Sequence, residues 1–176
     1  MKIQELSFKE VKKICLKGFF DDRGFFRETF RKSSYTELGI YEEFVQDNHS
    51  FSKQGTLRGM HFQQFPGQAK LVTVMLGKIF DVVVDIRIDS PTFGKWEGVY
   101  LDAALGEQLY VPVGFAHGFC VISPEAHVCY KVSTPYEAAQ ERSFAYNDPA
   151  IGIEWPVGHP LVSERDAKAL LLKELL

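Results

Sequence analysis

Short runs of alternating apolar and polar residues, broken by Gly- and Pro-containing turns, dominate the chain. Such a pattern predicts strands half buried on a pleated sheet. "KLVTVML", Gly77-Lys78 and "IFDVVVDIR" read together as a β-hairpin. In its second arm Asp81, Val83, Asp85 and Arg87 fall on one face, and Phe80, Val82, Val84 and Ile86 on the other. "GVYLDA" and "EQLYVPVGFAHGFCVIS" follow across Leu105-Gly106, and "HVCYKVST" alternates again. Upstream, "GFFRETF" sets Glu28 on the same face as Phe26 and Phe30. A carboxylate on an apolar face requires a partner or a chemical role. Two short helices are predicted. "SYTELG" has Ser34 as N-cap and Gly39 as terminator, and "SERDAKALLLKELL" has Ser163 and Asp166 in capping-box spacing before a Leu-rich stretch. Many short strands with few helices predict a β-sandwich or barrel.

Length and composition narrow this. At 176 residues the chain fits a single domain spanning 1–176, large enough to bury its own core. Aromatics at 14%, with 15 Phe and 7 Tyr, favour strands. A net charge of −3 supplies no electrostatic footprint for nucleic acid or an anionic membrane. No apolar stretch has signal-peptide or bilayer-spanning character. Cys15, Cys120 and Cys129 are odd in number and lack CxxC spacing, which predicts reduced thiols in a cytoplasmic protein.

The candidate chemistry centres on "RGMHFQQFPG", Arg58 to Gly67. "PVGFAH", Pro112 to His117, has the Pro-x-Gly-x-x-His form with which double-sheet β-barrels aim a late histidine inward. The usual first metal element is incomplete, because Gln63 stands where a second histidine is needed and the next acid is Asp81. Two histidines and an amide make a poor ligand set for zinc or iron. Arg23, Glu28, Gln46, Asn48, Arg58 and Lys70 lie in or beside apolar segments, which predicts a polar pocket inside a barrel. Strand parity puts Arg58 and His61 on opposite faces; a bulge at Gly59 would bring them together. His49, His127 and His159 have no partners in sequence and are assigned to structure.

"FFDDRGFFRETF", "FVQDNHSFSKQGTLRGMHFQ", "QAKLV", "DVVVDIR", "SPTFGKW", "LYVPVGFAHGF" and "YNDPAIGIEWP" together resemble the dTDP-4-dehydrorhamnose 3,5-epimerases. The resemblance implies a mostly β cupin jelly roll with a few short helices, one of them C-terminal. It implies no metal or other cofactor, a homodimer with sites shared between subunits, and inversion at C3 and C5 of a dTDP-linked 4-keto-6-deoxy sugar, feeding activated L-rhamnose to surface polysaccharide. By the same resemblance His61 is the general base, Tyr130 the acid on the opposite face, Asp166 the carboxylate that orients His61, and Lys70 the cation at the C4 oxygen. Arg58 and His117 line the sugar and phosphate region. Arg23, Glu28, Gln46, Asp47 and Asn48 bind the nucleotide, some from the partner subunit. Tyr136 stacks on thymine, and Glu141 and Lys168 match further ligand contacts. Asp166 also has a rival role as helix cap, and Tyr130 as a core tyrosine. The sequence departs from the family in the segment from His61 to Lys70, which is one residue short, and at Tyr146, where Trp is usual. An epimerase of another nucleotide-linked 4-keto sugar, such as a GDP-heptose, or of one centre only, remains open. So do a metal-dependent cupin oxygenase and a non-catalytic sugar-binding cupin.

Overall fold

The computed structural model describes residues 1–175. Thirteen strands run in chain order: β1 Lys2–Gln4, β2 Lys12–Cys15, β3 Gly18–Asp21, β4 Gly24–Arg27, β5 Gln46–Lys53, β6 Leu57–Gln63, β7 Lys70–Leu76, β8 Lys78–Asp85, β9 Trp96–Asp102, β10 Glu107–Val111, β11 Phe115–Val121, β12 Glu125–Val132 and β13 Glu141–Ser143. Helix α1 spans Lys32–Glu37 and α2 Glu164–Ala167. Two sheets face each other, one of six strands (β1-β2-β10-β7-β12-β5) and one of five (β13-β6-β11-β8-β9); β3 and β4 form a separate hairpin. This is the expected cupin-like jelly roll. No helix among the described residues is long and apolar enough to cross a membrane.

Alternation places the core. Val72 and Val74 of β7, Ile79 and Val83 of β8, Leu109, Phe115 and Val128 meet between the sheets. The opposite side of β8, Phe80, Val82 and Val84, packs with Met60, Phe144 and Leu172 beneath Ile151 and Trp155 of the C-terminal segment. The two faces read in β8 are therefore both real and both buried. Asp81 and Asp85 sit on the inner one, fully buried, each held by a cation or imidazole partner.

The expected hairpin about Gly77-Lys78 does not form, although both strands exist. β7 pairs with β10 and β12, whereas β8 pairs with β9 and β11 in the other sheet. Gly77, at φ +83°, turns the chain from one sheet to the other, and a Cβ there would lie 2.2 Å from the Glu125 carbonyl oxygen. The Ser123 hydroxyl accepts the Lys78 N–H at 2.8 Å, filling the place of a hairpin hydrogen bond. The long run after Gly106 likewise divides into β10 and β11, which belong to different sheets.

Both helices differ from expectation. Helix α1 begins at Lys32 rather than after Ser34, with no side-chain cap, and is terminated beyond its C-cap Leu38 by Gly39 (φ +77°), as expected. Helix α2 has Ser163 as its cap but lasts four residues. The Leu-rich stretch beyond it is claimed by other partners: Leu170 bridges Phe144, its carbonyl accepts the Ala145 N–H, and the Leu172 N–H donates to Asp148. Leu176, the last residue of the expected helix, lies outside the described residues. β4 stops at Arg27, so Glu28 is exposed and paired with Arg31 at 3.1 Å, and the aromatic face of its hairpin is open.

Candidate active site

One end of the space between the sheets is lined by polar side chains around a cavity of about 330 Å³. The six-stranded sheet contributes Gln46, Asn48 and Ser50 from β5, Lys70 from β7 and Tyr130 from β12. The five-stranded sheet contributes Arg58 and His61 from β6, His117 and Phe119 from β11, and Glu141 from β13. Gln68 and Tyr136 come from the loops at the rim. His61 and Tyr130 therefore stand on opposite walls.

The expected bulge at Gly59 is present. His61 pairs with His117 and Arg58 with Phe119, so Gly59 and Met60 together oppose the single residue Gly118. Gly59 has φ +131°, and a Cβ on it would lie 2.6 Å from the Gly118 Cα. Only glycine meets both demands. The extra residue returns Arg58 to the side of His61.

His61 Nε2 donates to Asp166 Oδ1 at 2.7 Å, which leaves Nδ1 as the unprotonated nitrogen of the neutral ring. Asp166 is 4% exposed and also accepts the Gly59 N–H at 3.4 Å. Burial alone would raise its pKa, but the His61 bond and charge, with the Gly59 N–H and Ser163, outweigh it and hold the carboxyl below its ordinary value. Its two readings are compatible. The Ser163 hydroxyl caps α2 by accepting the Asp166 backbone N–H at 3.0 Å, which leaves the Asp166 carboxylate free for His61. His117 repeats the arrangement with Asp81 at 2.7 Å; the other Asp81 oxygen is buried with no partner among the described residues.

Lys70 is buried on the opposite wall, its ammonium 3.5 Å from the His61 carbonyl oxygen. Burial pulls its pKa down to about 8, against the opposing pull of Glu141 and Asp81. Burial raises Tyr130, partly offset by Arg58, so its phenol stays protonated at neutral pH. Arg58 is fixed by the Ser52 hydroxyl (3.0 Å) and the Phe51 carbonyl (3.2 Å). Gln63 lends its amide to the loops instead, donating to the Pro135 carbonyl (3.5 Å) and accepting from Gln68 (3.4 Å). No three His, Cys, Asp or Glu side chains among the described residues group as metal ligands.

Nine of the residues singled out in sequence thus line one cavity, with Asp166 directly behind His61. Four stand outside it. Arg23 is at the tip of the exposed hairpin, paired with Asp21 at 2.6 Å. Glu28 follows that hairpin. Asp47 points to the other face of β5 from Gln46 and Asn48 and binds Lys131 at 2.8 Å. Lys168 binds Glu164 on the surface at 2.5 Å. Sequence reasoning missed Ser50, Gln68 and Phe119 in the cavity, and Arg165, which grips Glu141 at 2.6 Å. Ser50 and Phe119 were available from period-two parity with Asn48 and His117; Arg165 is joined to Glu141 only by the fold. His49 and His127, unconnected in sequence, touch at 2.9 Å on the outer face of the six-stranded sheet.

The fold, a jelly roll enclosing a carboxylate-backed histidine, a facing tyrosine and a buried lysine, is that of a cupin-like protein. The chain belongs to the dTDP-4-dehydrorhamnose 3,5-epimerase family, whose model matches residues 5–174. It is similar to the dTDP-4-dehydrorhamnose 3,5-epimerase of Shigella flexneri, 53% identical over 152 residues that make up 85% of this chain and 84% of that protein. A dTDP-4-dehydrorhamnose 3-epimerase of Streptomyces niveus is 43% identical over 176 residues, 99% of this chain and 85% of the relative. The crystal structure of a Legionella pneumophila 3,5-epimerase in complex with dTDP-4-keto-L-rhamnose superposes with TM-score 0.95 at 46% identity, covering 98% of this chain and 93% of that one. The protein is an isomerase of the epimerase type.

Proposed function

We propose that the protein inverts C3 and C5 of dTDP-4-dehydro-6-deoxy-D-glucose, giving dTDP-4-dehydro-L-rhamnose for activated L-rhamnose synthesis in the cytoplasm. The observation that carries this reading is the placement of His61, backed by Asp166, and Tyr130 on opposite walls of one cavity that also holds Lys70. A C–H beside a ketone becomes acidic enough to remove only when a base touches it and a cation meets the charge developing on oxygen. His61 Nδ1 takes the proton, the electron pair moves to the C4 oxygen, and Lys70 stabilises that enolate. Tyr130 then delivers a proton to the opposite face, which inverts the centre. Each cycle leaves an imidazolium and a phenolate, which solvent resets. Asp166 fixes the tautomer of His61 and stabilises its charged form.

Arg58 and His117 serve the sugar and phosphate region, Gln46, Asn48 and Glu141 further substrate contacts, and Tyr136 at the rim stacks on thymine. Arg23, Glu28 and Asp47 do not line this cavity in the same chain, whereas Lys168 lines an adjoining hollow with Tyr136, Glu141 and Arg165. The exposed Phe19, Phe20, Phe25 and Phe26 beside Arg23 and Glu28 support a homodimer in which the hairpin carries those two residues to the neighbour's site. The similarity to a 3-epimerase keeps one question specific, the number of centres inverted. Incubation with dTDP-4-dehydro-6-deoxy-D-glucose in heavy water, followed by NMR, answers it. The proposal expects deuterium at C3 and C5 with L-configured product. Deuterium at C3 alone would make the protein a single-centre epimerase, and none at either carbon would remove the reading.

A further inference from the structure

The structure assigns to Arg165 a role as the positioning residue that ties the catalytic histidine's carboxylate to the rim of the cavity. The inference rests on the reading of His61 as base. Arg165 immediately precedes Asp166 in α2, a helix of four residues capped by Ser163. The guanidinium reaches across to β13 and donates from Nη1 to Glu141 Oε2 at 2.6 Å. That same oxygen accepts the Tyr136 hydroxyl at 3.1 Å. Tyr136 is in turn fixed through its backbone N–H, which donates to Gln46 Oε1 at 3.0 Å. One carboxylate thus joins the helical turn bearing Asp166, the aromatic at the rim and the strand β13, whose Ser143 pairs with His61. Among the described residues, this is the one side-chain hydrogen bond from α2 to β13.

The pair also sets the charge balance of the cavity. Glu141 lines it, and its negative charge acts on Lys70 and Tyr130. Arg165, half exposed on the outside, neutralises that charge without entering the cavity. Removing the guanidinium takes away one tie on the turn that carries Asp166 and leaves Glu141 uncompensated. Both consequences fall on proton transfer, and the loosened Glu141 and Tyr136 weaken substrate contact as well.

The test is Arg165→Gln with Arg165→Lys as the conservative rescue, read by kcat, KM and pH profile on the full-length protein, with folded fraction measured by circular dichroism. Arg165→Gln is expected to lower kcat about tenfold, the lower end of what losing a group behind a functional histidine costs at metal centres. KM should rise by a smaller factor than kcat falls, through the loosened Glu141 and Tyr136. The alkaline limb of kcat/KM should move upward, because Lys70 holds its proton longer beside an uncompensated Glu141. Arg165→Lys should recover most of both effects. An unmoved pH profile, with activity falling only as far as the folded fraction, would make Arg165 merely structural and overturn the inference. His61→Asn separates this from failure of the underlying reading. If His61→Asn still exchanges substrate protons, the base is elsewhere; if it does not and Arg165→Gln has the normal profile, only the inference fails.

Discussion

Lys70 has the most exacting environment of any residue in the cavity. It is a buried cation with no carboxylate bonded to it, and burial brings its pKa to about 8. The cationic form is therefore present below about pH 8 and lost above it. If Lys70 meets the enolate oxygen, kcat/KM must fall as pH rises through about 8. Lys70→Met should remove that limb and cost roughly 10²–10³ in rate, the range for deleting one group that stabilises a developing oxyanion. A pH–rate series on both proteins checks this. The linkage runs the other way for stability. Between about 8 and the ordinary lysine value the unfolded chain binds more protons than the folded one, so this group makes stability rise with pH there. Loss of activity above pH 8 with the fold intact would thus be chemical in origin. Lys70 was legible in sequence as a cation in an apolar run; its depressed pKa was not, because burial depends on strands distant in the chain.

At the scale of elements, α2 shows how one residue makes two contacts, one through its backbone and one through its side chain. The capping spacing of Ser163 and Asp166 was visible in sequence, and so was the family's use of Asp166. Their compatibility was not, since it depends on the cap using the Asp166 backbone and the dyad its side chain. The roles separate by mutation. Ser163→Ala should cost about 1 kcal/mol of stability, as for loss of an N-cap, with kcat reduced only modestly. Asp166→Asn keeps the shape and the capping N–H but loses the charge behind His61, and should lower kcat by roughly 10²–10⁴. Denaturation midpoints and turnover measured on the two variants decide it, and similar losses in both would deny the division. Strand positions were readable because alternation is local. Strand partners were not: β7 and β8 have ideal hairpin spacing, yet the Gly77 corner and the Ser123 bond send them to different sheets. The Leu-rich tail keeps only a single 3-10 turn at Leu172–Glu174 for the same reason, since Phe144, Ala145 and Asp148 take its backbone. The bulge at Gly59 was readable because glycine beside a parity conflict is itself a local signal.

The molecule as a whole leaves one conspicuous surface open. Phe20 and Phe26 of the β3–β4 hairpin are 71% and 70% exposed, beside Arg23 and Glu28. If the hairpin completes a neighbouring site, Phe20→Ser with Phe26→Ser should shift the protein towards monomer in sedimentation and raise KM for the dTDP-sugar. A dimer unaffected by the double substitution would place the interface elsewhere. The face of "GFFRETF" read in sequence divides within one chain: Phe30 packs against Tyr35 and Phe44, whereas Phe26 and Glu28 lie exposed. The cavity was legible as a set of residue types, whereas its division between two walls required the fold.

That division is the central claim, and one measurement tests it most directly. With dTDP-4-dehydro-6-deoxy-D-glucose in heavy water, deuterium uptake and inversion are followed together by NMR for the native protein, His61→Asn and Tyr130→Phe. His61→Asn should lose both. Tyr130→Phe keeps the ring that packs against the inter-sheet core and loses only its acidic proton. It should still take up deuterium, because His61 removes and returns a proton on one face, while inversion falls sharply. Inversion by Tyr130→Phe at the native rate, or exchange surviving in a folded His61→Asn protein, would contradict the assignment of base and acid to opposite walls.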